Sequence, residues 1–213
     1  MITTIIAVIA TLLATTIIFK NSLSGLPSPW WSKLMMPFSV ITAYVANVTH
    51  WGTFSNTFLA GFVFVVLGDI FFAFDKNNKN FVYGLASFAV AYVLFSLAFI
   101  TGIGKLTSTI LFVAPAVYAM VAILYFKGLD FTKDTSMKIP VAAYTFIVAT
   151  MVVASTVTGN VQAIAGAFLA MYCDVSIGLD SFGKDKLVYR DNFVFVPYNI
   201  GHLILMLALL PLL

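Results

Sequence analysis

Apolar residues run along this chain in blocks about as long as a bilayer is thick, separated by short polar connections. A helical span needs about 20 mostly apolar residues. Eight stretches qualify: about 2 to 19, 34 to 50, 56 to 74, 81 to 100, 107 to 126, 138 to 157, 161 to 179 and 193 to 213. Little is left for a soluble domain, so residues 1–213 read as a single transmembrane domain. The pattern predicts an all-α, polytopic membrane protein with eight transmembrane helices. Residues 2–18 do not read as a signal peptide: no basic stretch precedes them, the first positive charge is Lys20, and no small-residue cleavage site follows.

Composition agrees with that class. Hydrophobic residues make up 62% of the chain and charged residues 9%, against about a quarter charged in soluble domains. The net charge of +3 is uninformative, but the placement of the charges is not. Lys20, Lys33, Lys76, Lys79, Lys127, Lys133, Lys138, Lys184, Lys186 and Arg190 all fall in the first, third, fifth and seventh connections, and only Lys105 falls in another. The positive-inside rule then makes those connections cytoplasmic, both termini non-cytoplasmic and the number of spans even. The one cysteine, Cys173, permits no internal disulfide and reads as a small buried hydrophobe.

Within the apolar blocks one phrase occurs twice. Residues 60–75 read AGFVFVVLGDIFFAFD and residues 165–180 read AGAFLAMYCDVSIGLD. An ungapped shift of 105 lays Ala60 on Ala165, Gly61 on Gly166, Asp69 on Asp174 and Asp75 on Asp180. The same shift lays Lys33 on Lys138, each opening an apolar span, with Pro37 and Pro140 close by. Two halves of four spans follow, about 1–105 and 106–213. Four is an even number, so the halves insert in the same orientation, as two parallel four-helix repeats about an axis along the membrane normal.

This topology sets the depth of the polar groups. Asp69 and Asp174 lie about five residues inside the cytoplasmic ends of their spans, roughly 7 to 8 Å deep at the helical rise. Asp75 and Asp180 fall at the boundary. Tyr198 and His202, four apart on one face of the last span, come to a similar depth. Ala163, Ala167, Ala170 and Gly178 form a small-residue stripe that turns Asp174 into the bundle. The corresponding stripe at Asp69, with Phe62 and Val65, is bulkier.

A carboxylate inside hydrocarbon is costly, by at least about 2.5 kcal/mol on insertion scales, and such residues usually carry function. Two carboxyls in one low-dielectric pocket do not both ionise readily, which leaves one as acid and one as base. That pair suits cleavage of an acetal-like or enol-ether bond, in which a protonated Asp delivers a proton and the second carboxylate steadies the cation or activates water. The structural alternative is that each Asp pairs within the bundle, for example with Lys33 or Lys138. His202 reads equally as proton shuttle or interhelical histidine, and Tyr92 and Tyr198 as substrate-orienting groups or interfacial anchors. Lys33 and Lys138 are placed to grip a lipid phosphate, or simply to anchor their spans. No HExxH, cysteine cluster, GxSxG or phosphate-cradling glycine loop is present, which counts against metalloprotease, serine-lipase and nucleotide-driven chemistry.

Lys33 with Pro37, Gly68-Asp69 after the span opening at Ala60, Gly84 through Tyr92, GAFLAMYCD ending in Asp174, and PYNIGH from Pro197 to His202 together resemble the YhhN family of eight-span membrane proteins. Its characterised members are lysoplasmalogenases. The resemblance implies a multi-pass protein of a bacterial inner membrane that hydrolyses the vinyl ether bond of lysoplasmalogen, an alkenyl lysophospholipid. Asp69 and Asp174 would be catalytic, with Lys33, Tyr92, Lys138, Tyr198 and His202 around the substrate. It implies no metal or organic cofactor, a lipid substrate and no protein partner. The chain departs from the family pattern at Cys173, where Ser is usual, at His202, where Gln is usual, and at Ala89, where His would stand before Tyr92. A proton-coupled transporter or flippase using the same Asp pair, and a lipid-binding protein without turnover, are the alternatives.

Overall fold

The computed structural model describes residues 2–26, 53–74, 78–102, 110–183 and 190–209, together with Pro29, Trp31, Leu34, Phe38 and Ile41. The described regular structure is helical throughout. It comprises α1 (Ile2–Leu23), α2 (Thr53–Ala73), α3 (Asn78–Gly102), α4 (Ile110–Ile123), α5 (Lys138–Val157), α6 (Val161–Phe182) and α7 (Arg190–Leu209). A π-helical turn (Leu124–Gly128) extends α4, and a 3-10 turn (Thr135–Met137) leads into α5. Six of the described helices are long and apolar enough to cross a membrane, α4 being counted through Gly128; the apolar stretch of α7, Asn192–Ala208, is shorter. The chain is a multi-pass helical membrane protein.

Seven of the eight predicted spans coincide with these helices to within a few residues. The helices overrun the apolar cores because hydrogen bonding continues into interfacial residues such as Lys20, Asn80 and Asp180. The expected second span, 34–50, falls almost wholly outside the described residues, as do Lys33, Pro37, His50, Asp75, Lys105, Lys184 and Lys186.

Helices α2 and α3 pack extensively on each other, and so do α6 and α7. The shift of 105 residues lays the first pair on the second, and the glycine of the doubled phrase explains the closeness of both. A Cβ on Gly61 would run into the Phe95 ring. One on Gly166 would lie 2.6 Å from Leu205 Cγ and 2.8 Å from the Gly201 carbonyl oxygen. In a bilayer, where apolar surface gains nothing by leaving lipid, such close backbone approach supplies the packing energy.

Helix α6 is anchored at both ends. Gly159, at φ +65°, turns the chain sharply out of α5. Asn160 then caps α6, its Oδ1 accepting from the backbone N–H groups of Gln162 at 2.8 Å and Ala163 at 3.2 Å. Its Nδ2 donates to the Ala208 carbonyl at 3.1 Å, tying the start of α6 to the end of α7. At the far end the Asp130 N–H donates to the Phe182 carbonyl at 2.7 Å, fastening the segment after the π turn to α6.

The core between these helices is aromatic. Phe58 stacks on Phe95 with centroids 4.4 Å apart, and Phe62 lies 5.1 Å from each of them. Val65, and Ala163, Ala167 and Ala170 on α6, are fully buried, as the stripes in the sequence require. Cys173 is buried and forms no disulfide.

Candidate functional site

Asp69 projects from α2 into this core and is 6% exposed. Its Oδ2 accepts a hydrogen bond from the Tyr198 hydroxyl of α7 at 2.6 Å, at the short end of the range for an O–H donor. One turn further along α7, His202 is fully buried. Its Nδ1 lies 3.0 Å from the Tyr198 carbonyl. A carbonyl only accepts, so Nδ1 carries the proton in that bond, and Nε2 is left without a hydrogen-bond partner. The His202 ring stands edge-on to Phe62 at 5.9 Å. Pro197, just before Tyr198, has no N–H to give back to the preceding turn of α7.

Asp174 occupies a different setting. It lies on α6 about 12 Å from the helix end at Phe182, at 1.5 Å per residue. It is half-buried, and one edge lines a cleft of about 710 Å³, mouth included, bounded by α2, α3, α4 with its π turn, α5 and α6. The walls are apolar, from Leu85, Val121, Leu124, Val148 and Met171 among others. The hydroxyls of Tyr92 on α3 and Tyr144 on α5 are the hydrogen-bonding groups that face this carboxyl. Their rings are 6.1 Å apart. Even so, neither the Tyr92 hydroxyl nor Asp174 Oδ2 completes a hydrogen bond of good geometry, and both atoms are enclosed. An unmade bond of this kind costs about 1–3 kcal/mol, so two converging at one point mark a place suited to a further polar group.

Of the residues expected at the site, Asp69, Tyr198 and His202 therefore form one cluster, and Asp174 and Tyr92 another. Phe88 spans the two, its ring 6.2 Å from Tyr198 and 6.3 Å from Tyr92. Lys138 is exposed at the first position of α5. Its carbonyl accepts from the Tyr125 hydroxyl at 2.7 Å, and Tyr125 lines the cleft, so Lys138 stands beside the mouth without lining it. Lys33 lies outside the described residues. Asp180 is half-buried at the end of α6.

Tyr144 escaped the reading of the sequence. The available signal was the spacing of Val141, Tyr144 and Val148, three and then four residues apart, which puts one hydroxyl on an otherwise apolar helix face. All three line the cleft.

Among known proteins, the model of the YhhN family matches residues 28–209. No curated protein and no solved structure matches the chain.

Proposed function

Because the chain belongs to the YhhN family, we propose that it is an intramembrane hydrolase cleaving the vinyl ether bond of lysoplasmalogen to a fatty aldehyde and a glycerophospho-base, by general acid/base catalysis with its buried Asp carboxyls. The observation that carries this reading is Asp174 on the wall of a largely apolar cleft, with the Tyr92 and Tyr144 hydroxyls turned toward it. The apolar walls suit one alkenyl chain, and Lys138 beside the mouth suits the phosphate.

The chemistry needs a carboxylic acid out of bulk water. A protonated Asp gives its proton to the outer carbon of the enol ether, and the cation left behind is an oxocarbenium ion next to the new carboxylate. Water adds to that cation as the carboxylate takes up one of its protons. The resulting hemiacetal collapses, with proton transfer to the ether oxygen, into aldehyde and alcohol. One water is consumed and the carboxyl returns to its starting form. In this reading the cleft opens to the cytoplasmic leaflet of an inner membrane, with both termini on the other side.

The test is aldehyde release from lysoplasmalogen by the purified protein in lipid nanodiscs, compared with Asp174→Asn. The reading requires release by the native chain and its loss, by at least about 100-fold, in the variant. Proton-gradient-driven lipid movement in vesicles, without any cleavage, would assign the same carboxyls to transport instead.

A further inference from the structure

The two carboxyls are alike in sequence and unlike in surroundings. Asp69 already holds a short hydrogen bond from Tyr198 and does not line the cleft. Asp174 lines the cleft, and its Oδ2 has no partner. Of the cleft-lining residues, Tyr144 turns its hydroxyl toward it.

We propose that the pair is divided in labour: Asp174 alone meets the bound lipid, oriented with it by the Tyr144 hydroxyl, whereas Asp69 is a positioning residue that acts through Tyr198. Tyr198 braces Phe88 edge-on, Phe88 lies against Tyr92, and Tyr92 faces Asp174. A second route runs through the backbone: α7, which carries Tyr198, is in intimate contact with α6 at Gly166 and Gly201, two turns from Asp174. In the hydrolysis proposed above, on which only the kinetic part of this proposal rests, Asp174 serves first as the acid and then, as carboxylate, as the base toward water. Such a switch of one group between consecutive steps is established chemistry for carboxyls in glycoside hydrolysis. Tyr144 supplies a donor to the ether oxygen or to the attacking water, which makes it the residue that fixes the lipid's register in the cleft.

Accessibility separates the two carboxyls without any need for turnover. The native protein in nanodiscs is treated with dicyclohexylcarbodiimide, an apolar carboxyl reagent, with and without a non-cleavable alkyl lysophospholipid, and the adducts are mapped by peptide mass spectrometry. The expected result is an adduct on Asp174, at least about tenfold above that on Asp69 and suppressed by the lipid. Equal labelling of the two, or a label on Asp174 that the lipid leaves unchanged, overturns the proposal. This readout stands even if no aldehyde is released, so failure of the proposed reaction and failure of this assignment are told apart.

Where aldehyde is released, rescue by a conservative variant gives the second measurement. An amide oxygen at position 69 still accepts from Tyr198, so Asp69→Asn should keep kcat within about tenfold while Asp69→Ala and Tyr198→Phe lose more, and lose it together in the double variant. Tyr144→Phe should raise KM about tenfold with the fold intact. An Asp69→Asn variant as inactive as Asp174→Asn would sink the division of labour.

Discussion

Tyr198, which follows the second copy of the doubled Asp phrase, donates its hydroxyl to Asp69 of the first copy at 2.6 Å. In the reverse direction Tyr92, which follows the first copy, faces Asp174 of the second without completing a hydrogen bond. A shift of 105 residues carries Tyr92 to position 197, one residue short of Tyr198. Each carboxyl is thus attended by a tyrosine from the other half of the chain, so neither half alone holds a complete polar cluster.

The Asp69–Tyr198 bond predicts a stability cost. Tyr198→Phe takes this donor from a buried carboxyl, and leaving a buried polar group unsatisfied costs about 1–3 kcal/mol. Its melting temperature in detergent should fall, and Asp69→Asn, which keeps an acceptor, should fall less. An unchanged melt for Tyr198→Phe would contradict the bond.

Close approach of α6 and α7 at Gly166 leaves no room for a side chain. Gly166→Val should destabilise the fold by about 1–3 kcal/mol, read as a lower melt and reduced yield of monodisperse protein. Gly178, where an added Cβ would meet nothing nearer than Leu129 Cδ2 at 3.9 Å, should accept alanine without loss of stability. Because Gly178 lines the cleft, any effect of Gly178→Ala belongs in lipid affinity and not in the melt.

Asn160 performs two tasks with one amide, capping α6 and holding the end of α7. Removal of a cap of this kind costs about 0.5–2 kcal/mol. Asn160→Ala should therefore raise hydrogen exchange in the first turn of α6 and at the end of α7 together, whereas Asn160→Asp, which keeps the cap but loses the amide donor, should loosen α7 alone.

At Asp174 the expected loss is chemical. Asp174→Asn should leave the melt within about 1 kcal/mol of the native protein, since the lost group held no partner at Oδ2, while aldehyde release drops by at least about 100-fold. A variant that releases aldehyde at the native rate would remove Asp174 from the chemistry.

Much of this was legible in the chain. Apolar length alone marked seven of the helices, because a span must be long enough to cross hydrocarbon and must satisfy its backbone internally. The stripe of Ala163, Ala167 and Ala170 pointed to the buried face of α6, since small residues are what bilayer packing uses. The glycines of the doubled phrase were visible as a pattern but not as a cause. Their meaning lies in Phe95 and Gly201, which stand thirty-odd residues away along the chain.

By itself, then, the sequence determined that this is a membrane protein of apolar helices, that it carries a doubled phrase with an Asp at the same place in each copy, and that these carboxyls are its costliest buried groups. Those properties follow from length, composition and local spacing, which act along the chain. Only the tertiary structure decided which tyrosine serves which carboxyl, that Asp174 and not Asp69 borders the cleft, and that Tyr144 belongs beside it. These depend on how α3, α5 and α7 pack around α2 and α6. Contacts of that kind join residues far apart along the chain, 129 positions for Asp69 and Tyr198, and helix periodicity says which face a residue occupies without saying what the face meets.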